Sequence, residues 1–174
     1  TNNFTDTLNK LAPDVWTQPA SDTFPAAFGG EAANKTAGVV SAVSSGTGTI
    51  GYADASAAKD VSIASLLVNG KALKPTADAA AAILEHSQVI SGRAANDLAY
   101  SLDRTSEGVY PAVLVSYAIV CQTYKDSKVA TLVKNYVGYI ASAEGQSAAA
   151  SAAGSAPLPT SIQAKVKAAL DSVK

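Results

Sequence analysis

Apolar residues recur three and four positions apart over long parts of this chain and alternate in others, and the two periods divide it into helices and strands. Phe4, Leu8 and Leu11 form one stripe of a helix over 1–12 that Pro13 ends. Val15 to Ala27, with Trp16, Phe24, Pro19 and Pro25, reads as an irregular covering segment anchored by its aromatic rings, and Phe28-Gly29-Gly30 leads out of it. Val39, Val40 and Val43 make the inward face of a second helix, with Ala37 and Ala42 small enough to let it approach a sheet. Ser44 to Gly48 stops that helix, and Thr49, Ile50 and Tyr52 restart the chain as a strand. A short helix over 53–59, started by Asp54 or Ser56, follows. Asn69-Gly70 between two extended runs predicts a hairpin over 62–73, because both central residues of a type I′ turn need positive φ.

The second half continues with an Ala-rich helix over 77–85, Asp78 in its first turn, and then a weakly periodic stretch, Ser87 to Glu107, read as loop with one turn of helix near 94–99. Val113, Val115, Tyr117, Ile119 and Cys121 alternate with Leu114, Ser116, Ala118 and Val120, so both faces are mostly apolar, as in an interior strand of an α/β sheet. Asp126 caps a long helix bearing Val129, Leu132, Val133, Tyr136, Val137 and Ile140. The run GQSAAASAAGSAPLP allows helix as far as Gly154 and Pro157, and a last helix starts at Thr160 with Ile162, Val166, Ala169 and Val173 on its buried face.

Composition narrows the function classes. The 174 residues are 48% hydrophobic and 16% charged with a formal net charge of −1, enough for one domain or two small lobes. Thirteen Lys and Arg balanced by 14 Asp and Glu leave no basic cluster for nucleic acid or an anionic membrane surface. The longest apolar run, Ala112 to Cys121, is strand length and falls short of a membrane span. The start at Thr1 in a chain without Met points to an upstream portion. Cys121, alone in an apolar run, is expected to be a small buried hydrophobe, with a partner in the upstream portion as the alternative. His86 is the one histidine, so any His-based metal site or nucleophile-base pair would have to be built on it; as a polar residue near a helix end it is ordinary.

Two features bear on ligand chemistry. Gly46, Gly48 and Gly51 spell GxGxxG, but the dinucleotide motif needs a strand before and a helix after, and the order is reversed here. The first helix starts with uncharged Thr1, Asn2 and Asn3, an end that serves as an ordinary cap or, through its free N–H groups and positive dipole end, as an anion site; the residues alone favour the cap.

Several stretches together carry a family resemblance: TNNFT followed by APDVW, then FGGEAANKTAGVVSAV, TIGYAD, GVYPAVLVSYAIV and LPTSIQAKVKAAL. Their order and spacing resemble the PstS family, the phosphate receptors of the bacterial phosphate ABC importer, and the Ala-rich, Met-free style is similar to actinobacterial members. The resemblance covers essentially the whole chain but only about the C-terminal half of the family's usual length. It implies an α/β fold of the two-lobe, type II periplasmic-binding-protein kind, closing over ligand in the interlobe cleft. Residues 1–109 would supply most of the second lobe, and 110–174 would return at Tyr110-Pro111 to the first. In the family a loop R-S-D-x-S-G-T grips phosphate just before the helix that corresponds to residues 1–12, so those contacts, and an upstream carboxylate, fall before Thr1. Thr1 and Asn2 remain as the ligand-binding candidates on this chain.

The implied function is an extracytoplasmic receptor, periplasmic or held at the cell surface by a lipid anchor in the upstream portion. It would bind inorganic phosphate and deliver it to the permease subunits of an ABC importer, with no covalent chemistry, no cofactor and no metal. Its other partner would be the missing N-terminal portion of the same protein. The alternatives are a DING-like phosphate-binding hydrolase, which needs a metal or an acid/base pair at a recognisable spacing, and a surface interaction protein reusing the fold.

Overall fold

A computed structural model describes residues 1–174, which divide into two compact units: residues 1–75 with 104–113, and residues 76–103 with 114–174. The chain therefore passes between the units after Pro75, after Asp103 and after Val113.

In the first unit, α1 spans Asn2–Leu11 and α2 spans Lys35–Ser45, and the hairpin β1 (Leu66–Val68) and β2 (Lys71–Leu73) is paired antiparallel with Val68 opposite Lys71. The hairpin is shorter than expected but turns where expected: Asn69 and Gly70 have φ of 48° and 79°. Its turn is tied down from outside, since the Asn69 amide donates to the Thr105 carbonyl at 2.7 Å and Lys71 pairs with Glu107. Val68, Val109 and Trp16 are buried in this unit, together with the hydroxyl residues Thr5 and Thr7.

Two expectations for this unit need correction. The run from Thr49 to Tyr52 is not a strand, because no second segment of the chain offers it a ladder, and Ile50 is left exposed. For the same reason α2 has no sheet to pack on, and no residue of it is fully buried. The main chain at Gly51 lies against Val39 and Val43 instead, so close that a Cβ there would sit 2.9 Å from Val39 Cγ1. The short turn of helix expected after this run forms over Ala55–Ala57, capped by Asp54.

The second unit contains α3 (Ala77–His86), β3 (Gln88–Val89), β4 (Tyr100–Ser101), α4 (Ser127–Ala141), α5 (Ala143–Ala153) and α6 (Thr160–Asp171). Caps account for the helix starts: Thr76, Asp126 and Ser142 each accept a backbone N–H from the first turn that follows. Gly154, at φ 64°, ends α5 in the left-handed conformation that suits glycine. Ile83, Leu84, Tyr100, Ala130, Ile162, Leu170 and Val173 form the core. The end of the chain closes it, with the Tyr124 N–H donating to the Lys174 carbonyl at 2.7 Å and the Lys174 N–H to that of Gln122 at 3.0 Å.

Here too the sheet departs from expectation. The stretch read as loop contains the antiparallel pair β3–β4, Val89 opposite Tyr100, and a turn in which Asp97 N–H donates to Ala94 takes the place of the helix near 94–99. Val113 to Cys121 belongs to no sheet; Leu114 is 74% and Ile119 96% exposed. Cys121 is exposed instead of buried, because the strand that would have enclosed it lacks partners. On α4, Leu132, Tyr136 and Ile140 lie on an uncovered face, while Ala130 and Gly138 turn toward the unit's interior, Gly138 opposite Leu170.

The turn geometry is directly testable. Gly70→Ala forces a Cβ into the left-handed region at a position where the mate residue Asn69 already occupies it, and urea unfolding should show a loss of about 1–2 kcal/mol. An unchanged midpoint would mean that the hairpin contributes nothing to the unit's stability.

Candidate functional site

The two candidate residues, Thr1 and Asn2, stand at the head of α1. Thr1 is the N-cap but its side chain makes no capping bond. Its carbonyl accepts the N–H groups of Phe4 and Thr5, whereas its Oγ1 lies 2.9 Å from the Tyr52 hydroxyl. The N–H groups of Asn2 and Asn3 precede the first intrahelical donors, as in any α-helix, and no carboxylate stands in the first turn. Both Thr1 and Asn2 are exposed.

Three anchors hold this helix start in place. The first is aromatic: Phe4 stacks on Tyr52 with ring centroids 4.1 Å apart, Tyr52 meets Phe24, and Phe24 and Phe28 enclose Trp16. The second is the buried hydroxyl of Thr5, which donates within the helix to Asn2 and accepts the Ser21 N–H at 2.9 Å. The third is Arg104, whose side chain is 4% exposed and pairs through Nε with Asp6 Oδ2 at 2.7 Å. Its Nη2 donates to Asn3 Oδ1 at 2.6 Å, and its Nη1 to the carbonyls of Pro111 and Val113. Asp6 thus pairs with the guanidinium beside the helix start. What remains for an anion is the partial positive charge of the helix end, about half a unit.

The other sequence candidates are dispersed. His86 ends α3 in the second unit and Cys121 is in the unpaired segment of that unit. No group of three His, Cys, Asp or Glu side chains comes together to hold a metal ion. The GxGxxG glycines form a helix end and turn: Gly46 caps α2, and Thr49 Oγ1 donates back to the Val43 carbonyl at 3.0 Å. A concavity of about 430 Å³ between α3 and the start of α6 exposes Asp78 and Glu85 toward Thr160 and Ser161. Its carboxylates oppose an anionic ligand.

The sequence placed Thr1 and Asn2 at the start of α1 but gave no sign that Tyr52 and Arg104 would hold that start. Tyr52 lies 51 positions from Thr1 and Arg104 lies 98 from Asp6, and neither separation leaves a local signal.

A family model described as a PBP superfamily domain matches residues 1–144. The chain belongs to the PBP superfamily. No curated protein and no solved structure matches it. The α/β periplasmic-binding-protein type of fold follows, and with it the architecture of a substrate-binding receptor. No helix of this PBP domain is long and apolar enough to cross a membrane.

The anchoring of α1 can be tested at Thr5. Thr5→Val keeps the shape but leaves the part-buried Ser21 N–H without its acceptor, and denaturant unfolding should register a loss of about 0.5–1.5 kcal/mol. A neutral result would show that Ser21 finds another partner and that the helix start is held mainly by the aromatic rings and Arg104.

Tyr110 provides a pH test in the same unit. Burial pushes its phenol above the ordinary 10.0, so folding is favoured by the neutral form. The contribution is complete below the unfolded value and is lost as pH rises through the folded one, since the unfolded chain ionises first. Tyr110→Phe should flatten the alkaline limb of the stability curve; an unaltered limb would assign it to another group.

Proposed function

We propose that this chain is the C-terminal portion of a phosphate receptor of the PstS kind, similar to actinobacterial members, serving outside the cytoplasm. It would be secreted as a periplasmic or lipid-anchored protein and would hand inorganic phosphate to the permease subunits of an ABC importer. The observation that carries this reading is the head of α1: a helix start without a first-turn carboxylate, whose cap hydroxyl is held by Tyr52 and not by the helix's own N–H groups. Such an end accepts an anion through main-chain donors and the helix dipole. Membership of the PBP superfamily supports the receptor role.

On this reading Thr1 and Asn2 are the ligand-binding residues of the chain, and the remaining contacts come from the portion that precedes Thr1. Residues 1–109 would supply most of one lobe of the assembled receptor and 110–174 would return to the other through Tyr110-Pro111, a division that differs from the two compact units of this chain, in which residues 76–103 group with 114–174. The unpaired run from Val113 to Cys121 agrees with this, since it has the composition of an interior strand and needs neighbours that the chain does not supply. The activity is binding and release, without a covalent step.

Calorimetry separates the possibilities. Protein that includes the preceding portion should take up phosphate with a saturable heat and should release no product from a phosphate ester. Absence of that heat, or turnover of the ester, overturns the reading. Residues 1–174 alone should bind phosphate weakly or not at all, and micromolar affinity in the isolated chain would place the principal contacts here instead.

A further inference from the structure

The buried guanidinium of Arg104 is used by none of the chemistry above, yet its position in the chain is distinctive. Arg104 is the first residue after one passage between the units, and Val113 is the last before the next. The side chain of the first donates to the carbonyl of the second at 3.3 Å and also to that of Pro111. Both ends of the ten-residue return are therefore tied by one planar cation. The remaining donors reach α1, at Asn3 Oδ1 and Asp6 Oδ2, one turn apart on the same helix face.

We infer that Arg104 is a positioning residue that locks two of the three passages between the units to the first two turns of α1, so that the direction of these passages and the placement of the helix start are set together. The chemistry suits the task. A guanidinium offers five donors in a fixed plane, and an ammonium on a flexible stem offers three around a point. Lysine could keep the ion pair with Asp6 but could not span that carboxylate, the Asn3 amide and two carbonyls at once. Main-chain carbonyls are the acceptors at the passages, so the tie does not depend on which side chains stand at 111 and 113. Pro111, fully buried and fixed in φ, stiffens the segment between them. Where a ligand occupies the start of α1, which rests on the function proposed above, the same cation carries its effect to the passages.

The test uses protein that includes the preceding portion, with Cys121→Ser and spin labels at Ser41→Cys in α2 and Ala148→Cys in α5, one exposed site in each unit. Without ligand, Arg104→Lys should broaden the distribution of distances between the labels while the unfolding of each unit remains cooperative. Addition of inorganic phosphate should narrow the distribution in the parent protein and fail to do so in the variant, and phosphate affinity should fall roughly five- to tenfold, the scale of an ordinary coupling between sites. Should Arg104→Lys not fold, Asp6→Asn, which keeps an oxygen acceptor for Nε, takes its place in both comparisons. A folded variant whose ligand-free distribution matches the parent overturns the inference. A parent that ignores phosphate overturns the functional reading instead, and the ligand-free comparison still decides the role of Arg104.

Discussion

A guanidinium withdrawn from water must satisfy its donors on whatever surrounds it, and Arg104 does so on four acceptors drawn from two separate parts of the first unit. Removal of one acceptor leaves part of a buried guanidinium unsatisfied, so the arrangement is difficult to loosen piecemeal. Its consequence is geometric. The return segment from Arg104 to Val113 lies against α1, with Val109 buried and Thr7 Oγ1 donating to the Pro111 carbonyl at 3.4 Å. The hairpin in turn grips the same segment through Asn69, which donates to the Thr105 carbonyl, and Lys71, which pairs with Glu107. The start of α1 inherits its placement from these ties and from the aromatic rings between Phe4 and Trp16.

A second constraint explains what the chain leaves open. Backbone donors and acceptors in a strand are satisfied only by a neighbouring strand, and an apolar strand with two oily faces needs cover on both. Val113 to Cys121 has the composition for such a place and no neighbour, while Leu132, Tyr136 and Ile140 of α4 face outward as a ready cover. Exposed edges and faces of this kind invite pairing with other chains.

The elements legible in the sequence were those whose signals are local. The Pro13 stop after α1, the Asp126 cap and apolar spacing of α4, and the Asn69-Gly70 turn all act within a few residues, and each formed where expected. Thr49 to Tyr52 and Val113 to Cys121 failed as strands because β-pairing is decided by a distant partner. The β3–β4 pair escaped notice because two residues per strand are too few to show alternation. At the helix head, the sequence could not show that the Thr1 hydroxyl is engaged by Tyr52. Arg104 stood in a weakly periodic stretch and resembled any surface arginine; only burial distinguished it. Cys121 misled for a physical reason as well, since a thiol is buried only if its strand is.

The central claim is that main-chain N–H groups at the head of α1 receive an anion, and amide resonances report on this directly. In ¹⁵N-labelled protein that includes the preceding portion, titration with inorganic phosphate should move the Asn2 and Asn3 amide protons downfield together and saturably, as new acceptors reach them. Saturable shifts confined to other residues, with Asn2 and Asn3 unmoved, would place the ligand elsewhere and contradict the account.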